Sequence, residues 1–271
     1  MTTKQCKANG LTISYEESGC GEPLVLLMGL GAPGRKWAPH IEAYEKHFHV
    51  YAIDNRGAGQ SDKPVAYSYS IEDMAKDTIG LMDALGIESA HFNGISMGGA
   101  IAQYIAVHYP ERVRSVILTN TFPYCNVSFR RSIEILREAN GQLDGITYGR
   151  LLQWMIYAQP FQETDEDYML ADEYAGLSGP GMPSYAFKAQ CNAILGFNEI
   201  ANLPTVKAPT LVVGGDKDLF VPVYLTMEMA NAIPGAELYM AKDGGHVQHW
   251  EQLEKYNQVT LDFLLKNRTE N

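Results

Sequence analysis

The sequence predicts a doubly wound, mostly parallel α/β sheet carrying an inserted helical cap, and three observations lead there. Short, almost continuous apolar runs recur at residues 24–28 (Leu-Val-Leu-Leu-Met), 50–54 (Val-Tyr-Ala-Ile-Asp), 113–119 and 210–213. Strands read this way when helices cover both faces of a parallel sheet, because neither face meets water. Amphipathic helical segments alternate with these runs, the pattern of strand–crossover–strand units. Between residues 121 and 203 the alternation stops, leaving helix formers and aromatics without a convincing strand. The expected division is a core of residues 1–120 and 204–271, with 121–203 as the cap.

The elements follow in order. Asn9-Gly10 between short alternating runs is a type I′ hairpin signal. The runs at 24–28 and 50–54 give the next two strands. Ser70 then caps a helix whose apolar positions are Ile71, Met74, Ala75, Thr78, Ile79, Met82 and Leu85, closed by Gly86. Residues 89–93 read as a strand, and 99–108 as a helix ended by Pro110. In the inserted stretch, Trp154, Tyr157, Phe161, Tyr168, Tyr174, Tyr185 and Phe187 either pack on the core or line a cavity, and Gly176 to Pro183 supplies a break. Residues 237–240 give a last strand, and a helix from about 253 to 266 ends the chain.

Composition narrows the partners. A formal net charge of −11 without any Lys/Arg run argues against nucleic acid or an anionic membrane surface. Cys6, Cys20, Cys125 and Cys191 are too scattered for a disulfide frame or a zinc site. The opening residues hold no apolar leader, and no apolar run of about 18 residues follows. A soluble, cytoplasmic protein is expected, with homo-oligomerisation left open.

Chemistry centres on Gly94-Ile95-Ser96-Met97-Gly98, a Gly-x-Ser-x-Gly pentapeptide set where a strand meets a helix. A serine on such a turn is strained, and its flanking glycines remove side chains that would clash, so the hydroxyl stands clear of the sheet. The competing reading is Ser96 as a simple helix cap. A serine hydroxyl is a poor nucleophile at neutral pH, so it needs a base, and the base needs an orienting acid. His246 follows Gly244-Gly245 after a late strand and suits the base; His249 suits packing, as do His91 and His108. Asp216 and Asp218 compete for the acid: Asp218 lies deeper in its loop, which leaves Asp216 to brace the turn by accepting backbone N–H bonds. The N–H of Met97, at a helix N-terminus, is one expected donor to an oxyanion, and the N–H of Leu30 the second. Trp37, Trp154, Tyr157 and Phe220 are candidates for the substrate pocket.

Together these residues resemble the α/β-hydrolase superfamily over essentially the whole chain. The motifs that carry the resemblance are Met28-Gly29-Leu30-Gly31, the segment from Asp54 to Asp62 (Asp-Asn-Arg-Gly-Ala-Gly-Gln-Ser-Asp), Gly-Ile-Ser-Met-Gly-Gly at 94–99, Gly215-Asp-Lys-Asp218 and Gly245-His246. The resemblance implies Ser96, Asp218 and His246 as a triad, Leu30 and Met97 as oxyanion residues, a helical cap, and no cofactor or metal. Many members carry His-Gly where this chain has Met28-Gly29, so support of that loop should differ although its donor is backbone. Ser96 sets the chain apart from haloalkane dehalogenases and epoxide hydrolases of this fold, which use Asp. The Asp54 segment is similar to that of carboxylesterases, enol-lactonases and cofactor-free haloperoxidases. Phe220-Val-Pro222 and the stretch from Gly245 to Glu251 are also similar to the tail of C–C bond hydrolases acting on aromatic ring-fission products. The expected activity is hydrolysis of a small ester or lactone through an acyl-enzyme, with C–C cleavage of a vinylogous diketone as the alternative.

Three other readings compete with that expectation. Gly29-Leu-Gly31-Ala-Pro-Gly34, twenty residues before strand-terminal Asp54, matches a dinucleotide fingerprint; Pro39 and Trp37 are awkward in the helix it requires. A metal site from Asp216, Asp218, His246 and His249 lacks any recognised ligand spacing. A non-catalytic relative would be expected to have lost a triad member.

Overall fold

The chain opens as a hairpin. Strands β1 (Thr2–Ala8) and β2 (Leu11–Gly19) pair antiparallel around Asn9 and Gly10. Both turn residues have positive φ, 48° and 78°, as a type I′ turn demands. This is a computed structural model that describes residues 1–165, 168–170 and 182–269. Tyr174 and the break from residue 176 to 181 lie outside the described residues.

Six further strands complete one sheet: β3 (Glu22–Leu27), β4 (Phe48–Ile53), β5 (Ala90–Ile95), β6 (Val113–Thr119), β7 (Thr210–Gly215) and β8 (Glu237–Ala241). Their order is β1-β2-β4-β3-β5-β6-β7-β8, antiparallel from β1 to β4 and parallel from β4 to β8. The apolar runs are continuous because successive residues enter different cores. Leu24, Leu26, Val50 and Ala52 join Trp37, Tyr44, Tyr256 and Phe263 on one face. Val25, Leu27, Tyr51 and Ile53 join Met74, Ile101 and Ile105 on the other. A period of two on a sheet covered on both faces sends successive residues of these runs into two apolar cores.

Local signals set the crossovers. Helix Ile71–Ala84 starts in a capping box, in which the Ser70 side chain accepts the Asp73 N–H and the Asp73 carboxylate accepts the Ser70 N–H. Helix Met97–His108 begins two residues before the predicted start, directly after Ser96. The final helix is Leu253–Lys266.

Between β6 and β7 the chain forms helices Val127–Ala139, Gly145–Ile156, Gln159–Thr164 and Ser184–Leu195. Asn126 and Asp144 cap the first two through their side-chain oxygens. The only strand-like contact there, among the described residues, is an isolated bridge from Tyr124 to Asn198. Helix Ser184–Leu195 lies against the core, where the Ala189 C=O accepts the Tyr69 N–H at 3.1 Å. No helix among the described residues is long and apolar enough to cross a membrane. Parallel pairing puts the C-terminal ends of β3 through β8 along one edge of the sheet, where open α/β sheets hold their ligands.

Candidate active site

Ser96 follows β5 and has φ 53° and ψ −117°, a region side-chain-bearing residues rarely occupy. Two close approaches make the turn possible. A Cβ at Gly94 would stand 2.3 Å from the Gly98 oxygen, and one at Gly98 would stand 2.1 Å from the Leu27 oxygen. Only glycine fits at either position. The turn is held by the Ser96 N–H donating to the Thr119 C=O (2.9 Å) and by Thr121 Oγ1 donating to the Ser96 C=O (2.7 Å). The Ser96 hydroxyl makes no capping bond to its helix.

Asp218, after β7, is 7 % exposed, and His246, after β8, is 5 % exposed. His246 Nδ1 lies 2.8 Å from Asp218 Oδ2. The other Asp218 oxygen accepts the N–H groups of Phe220 (2.9 Å) and Val221 (2.8 Å). The same carboxylate therefore orients the imidazole and braces its own turn. This corrects the role expected of Asp216, which is exposed and whose side chain makes no hydrogen bond among the described residues.

β8 lies three strands away from β5, and the loop carrying His246 folds back across the strand ends as far as β6. It crosses the end of β7, where the Gly244 C=O accepts the Lys217 N–H. It then reaches the end of β6, where Asn120 Nδ2 donates to the Gly245 C=O (3.1 Å) and to Asp218 Oδ2 (3.0 Å). Asn120 sits between Thr119 and Thr121, the two residues that hold the Ser96 backbone. Sequence reasoning passed over Asn120; its signal is an asparagine at a strand end with φ 44°, a conformation asparagine tolerates.

Glu251 was also passed over. Its two oxygens accept the Gly245 N–H (2.8 Å) and the Ala158 N–H (2.7 Å), tying the His246 loop to the helical insertion. Burial pushes its carboxyl above the usual range, against the pull of those two bonds. Ser96 Oγ and His246 Nε2 have no hydrogen-bond partner among the described residues, and neither is among the fully enclosed unpaired atoms. Both thus keep access to solvent.

The loop after β3 faces the same place. The Gly29 C=O accepts the Ala32 N–H (3.3 Å), and Gly31 takes φ 73° at the third position of this β-turn. Asn55 Nδ2 donates to the Met28 C=O at 3.1 Å, which is the support this chain gives the loop. A Cβ on Gly29 would lie 3.2 Å from that of Ser96, so this loop borders the serine. Neither the Leu30 N–H nor the Met97 N–H has an acceptor among the described residues.

The four pocket candidates fall in different places. The Phe220 ring stands 4.9 Å from the His246 ring, edge to face. Trp37 is 0 % exposed and packs against His40 and His249, so it is core rather than cleft wall. Trp154 is 63 % exposed on the outer side of its helix, and Tyr157 is enclosed against Phe161 and Tyr168. His249 is likewise core. Burial lowers its ring well below the usual histidine range, with His40 and His246 adding smaller repulsions.

The glycine-rich stretch of the rival dinucleotide reading is engaged within the chain. After Gly34 the chain makes a 3-10 turn, and the Asp54 carboxylate accepts the Gly34 and Gln60 N–H groups at 2.6 and 2.7 Å. Among the described residues, no three His, Cys, Asp or Glu side chains are grouped to share a metal ion.

Residues 22–253 match the family described as the alpha/beta hydrolase fold. The chain belongs to that family. Among α/β hydrolases it is 28% identical over 254 residues to a protein of Stutzerimonas stutzeri named "Putative carbamate hydrolase RutD", covering 92% of this chain and 96% of that one. The enol-lactonase from Burkholderia xenovorans LB400 superposes with a TM-score of 0.85 at 27% identity, covering 97% of this chain and all (100%) of that one. A solved N-acyl homoserine lactone degrading enzyme does so with a TM-score of 0.83 at 30% identity, covering 96% of this chain and 100% of that one. The chain is thus similar to hydrolases over nearly its whole length.

Proposed function

We propose that this α/β hydrolase is a cofactor-free serine hydrolase that opens a small carboxylic ester or lactone. The observation that carries the reading is the His246–Asp218 pair, 2.8 Å apart, which Asn120 ties to the end of β6 beside the residues that hold the strained Ser96 turn. Similarity to an enol-lactonase and to a lactone-degrading enzyme supports the same bond class.

In the first step Ser96 Oγ attacks the substrate carbonyl carbon while His246 Nε2 accepts the hydroxyl proton. Asp218 keeps Nδ1 protonated, so Nε2 is the basic nitrogen, and it stabilises the imidazolium that forms. The carbonyl oxygen becomes an oxyanion received by the Leu30 and Met97 N–H groups, the latter aided by the helix dipole. The C–O bond then breaks, and the imidazolium gives its proton to the leaving alkoxide; for a lactone that alcohol stays tethered to the acyl chain. A water next loses a proton to His246 and attacks the ester of Ser96. Collapse of the second oxyanion returns the proton to Ser96 and releases the acid.

The test is a panel of p-nitrophenyl esters, lactones and thioesters of graded acyl length, with Ser96→Ala as control and fluorophosphonate labelling of Ser96. Turnover and labelling that vanish in Ser96→Ala support the reading. Strong preference for a vinylogous diketone over every ester and lactone would replace it with C–C bond hydrolysis.

A further inference from the structure

We infer that Gln190, on the inserted helix Ser184–Leu195, is a positioning residue that holds the oxyanion loop in register for the reaction proposed above, on which this role rests. Gln190 is 0 % exposed, and both ends of its amide are engaged. Its Oε1 accepts the Gly31 N–H at 2.9 Å, and its Nε2 donates to the Arg56 C=O at 2.8 Å. One side chain from the insertion therefore joins two core loops, the one after β3 and the one after β4.

The consequence lies in what surrounds Leu30. From the core, Asn55 fixes the Met28 C=O on one side of it. From the insertion, Gln190 fixes the Gly31 N–H on the other. Within the turn, the Ala32 N–H occupies the Gly29 C=O. Peptide groups on both sides of Leu30 are thus fixed, while the Leu30 N–H itself has no acceptor among the described residues. A donor held this way costs no reorganisation when negative charge develops, which is where such groups gain their effect. Gly31 at φ 73° adds no rigidity of its own, since glycine visits many conformations; the rigidity has to be imposed from outside. Phe187, one helical turn before Gln190, closes the same loop with its ring, 3.3 Å from where a Gly31 Cβ would stand.

Gln190→Met preserves length and bulk while removing both hydrogen bonds. Asn192→Ala is the control: it lies on the same helix, but its bonds go to the Tyr67 C=O and to Arg137. Deleting an oxyanion donor outright costs on the order of 10²–10³ in kcat, so displacing one is expected to cost about 10- to 100-fold. With p-nitrophenyl butyrate, Gln190→Met should lower kcat by that amount with KM within about twofold, since a ground-state carbonyl draws little on the donor. Inhibition by the corresponding trifluoromethyl ketone should weaken in step with kcat/KM, and that by butyrate should not. Amide hydrogen exchange over residues 28–34 should rise in Gln190→Met and not in Asn192→Ala. Unchanged kcat, unchanged exchange, or equal losses in both variants would overturn the role. If the wild-type protein opens no ester or lactone and Ser96 resists fluorophosphonate, the functional reading fails instead, and the exchange comparison still decides whether Gln190 holds the loop.

Discussion

Replacing Asp218 with asparagine removes one charge and swaps one acceptor for a donor, and the surroundings admit neither orientation of the amide. All four groups facing the carboxylate are N–H donors: His246 Nδ1, Asn120 Nδ2, and the backbone of Phe220 and Val221. With the amide nitrogen toward His246, the ring must accept through Nδ1, which puts the proton on Nε2 and, on the proposed mechanism, removes the base. With the amide oxygen toward His246, the nitrogen opposes two backbone donors and the 218–221 turn loosens. In a Ser-His-Asp template this substitution costs about 10⁴ in kcat, or about 5.5 kcal/mol of barrier at roughly 1.4 kcal/mol per tenfold. Asp216→Asn changes an exposed side chain that makes no hydrogen bond among the described residues, so its effect should stay within about twofold. The assay is kcat and KM on p-nitrophenyl butyrate at neutral pH, with thermal melts to show that both variants fold. Comparable losses in the two variants, or a larger loss in Asp216→Asn, would refute the reasoning.

Further outcomes follow from burial and contact. Burial holds the His40 ring down at about 4 and that of His249 well below the usual 6.5. As pH falls below 6.5 the unfolded chain therefore binds protons that the folded chain does not, and stability present at neutral pH is lost toward pH 4. His249→Phe should flatten that slope by up to about 1.4 kcal/mol per pH unit; urea denaturation across this window measures it, and an unchanged slope contradicts it. Phe220→Ala, which removes a ring lying against both His246 and Phe129, should destabilise by about 3–5 kcal/mol and lower turnover. Trp154→Ala should move neither the melting temperature nor kcat; a large loss would mean that this exposed ring serves the site. Gly98→Ala would drive a methyl against the Leu27 carbonyl and should cost about 3 kcal/mol or more, read as loss of folded protein on expression.

Much of the frame was legible because it depends on near neighbours in the chain. The Asn9-Gly10 turn, the Ser70 cap and strand β6 follow from turn chemistry, capping and apolar runs. The aspartate that meets His246 could be picked by its depth in the loop, but not its second task. One carboxylate has about four acceptor sites to satisfy, and the sequence does not tell which donors fill them. Asn120, Gln190 and Glu251 stayed invisible for a related reason. Each makes a bond to a backbone group far along the chain, as when Gln190 reaches Gly31, and backbone groups carry no residue-specific signal. Trp37 was misplaced because an aromatic in a loop looks alike whether it faces a cleft or a core, and here His40 and His249 enclose it.

The backbone of Ser96, at φ 53° and ψ −117°, has a bearing on any attempt to toughen this protein. A side chain there costs on the order of 1–3 kcal/mol, and glycine would relieve most of it. Directed evolution under heat alone should therefore drift toward Ser96→Gly and return a sturdier molecule that, on the proposed mechanism, is inert. Only libraries screened for turnover would retain the hydroxyl, so robustness and performance pull apart at this one position, and engineering for both has to find its stabilising changes elsewhere.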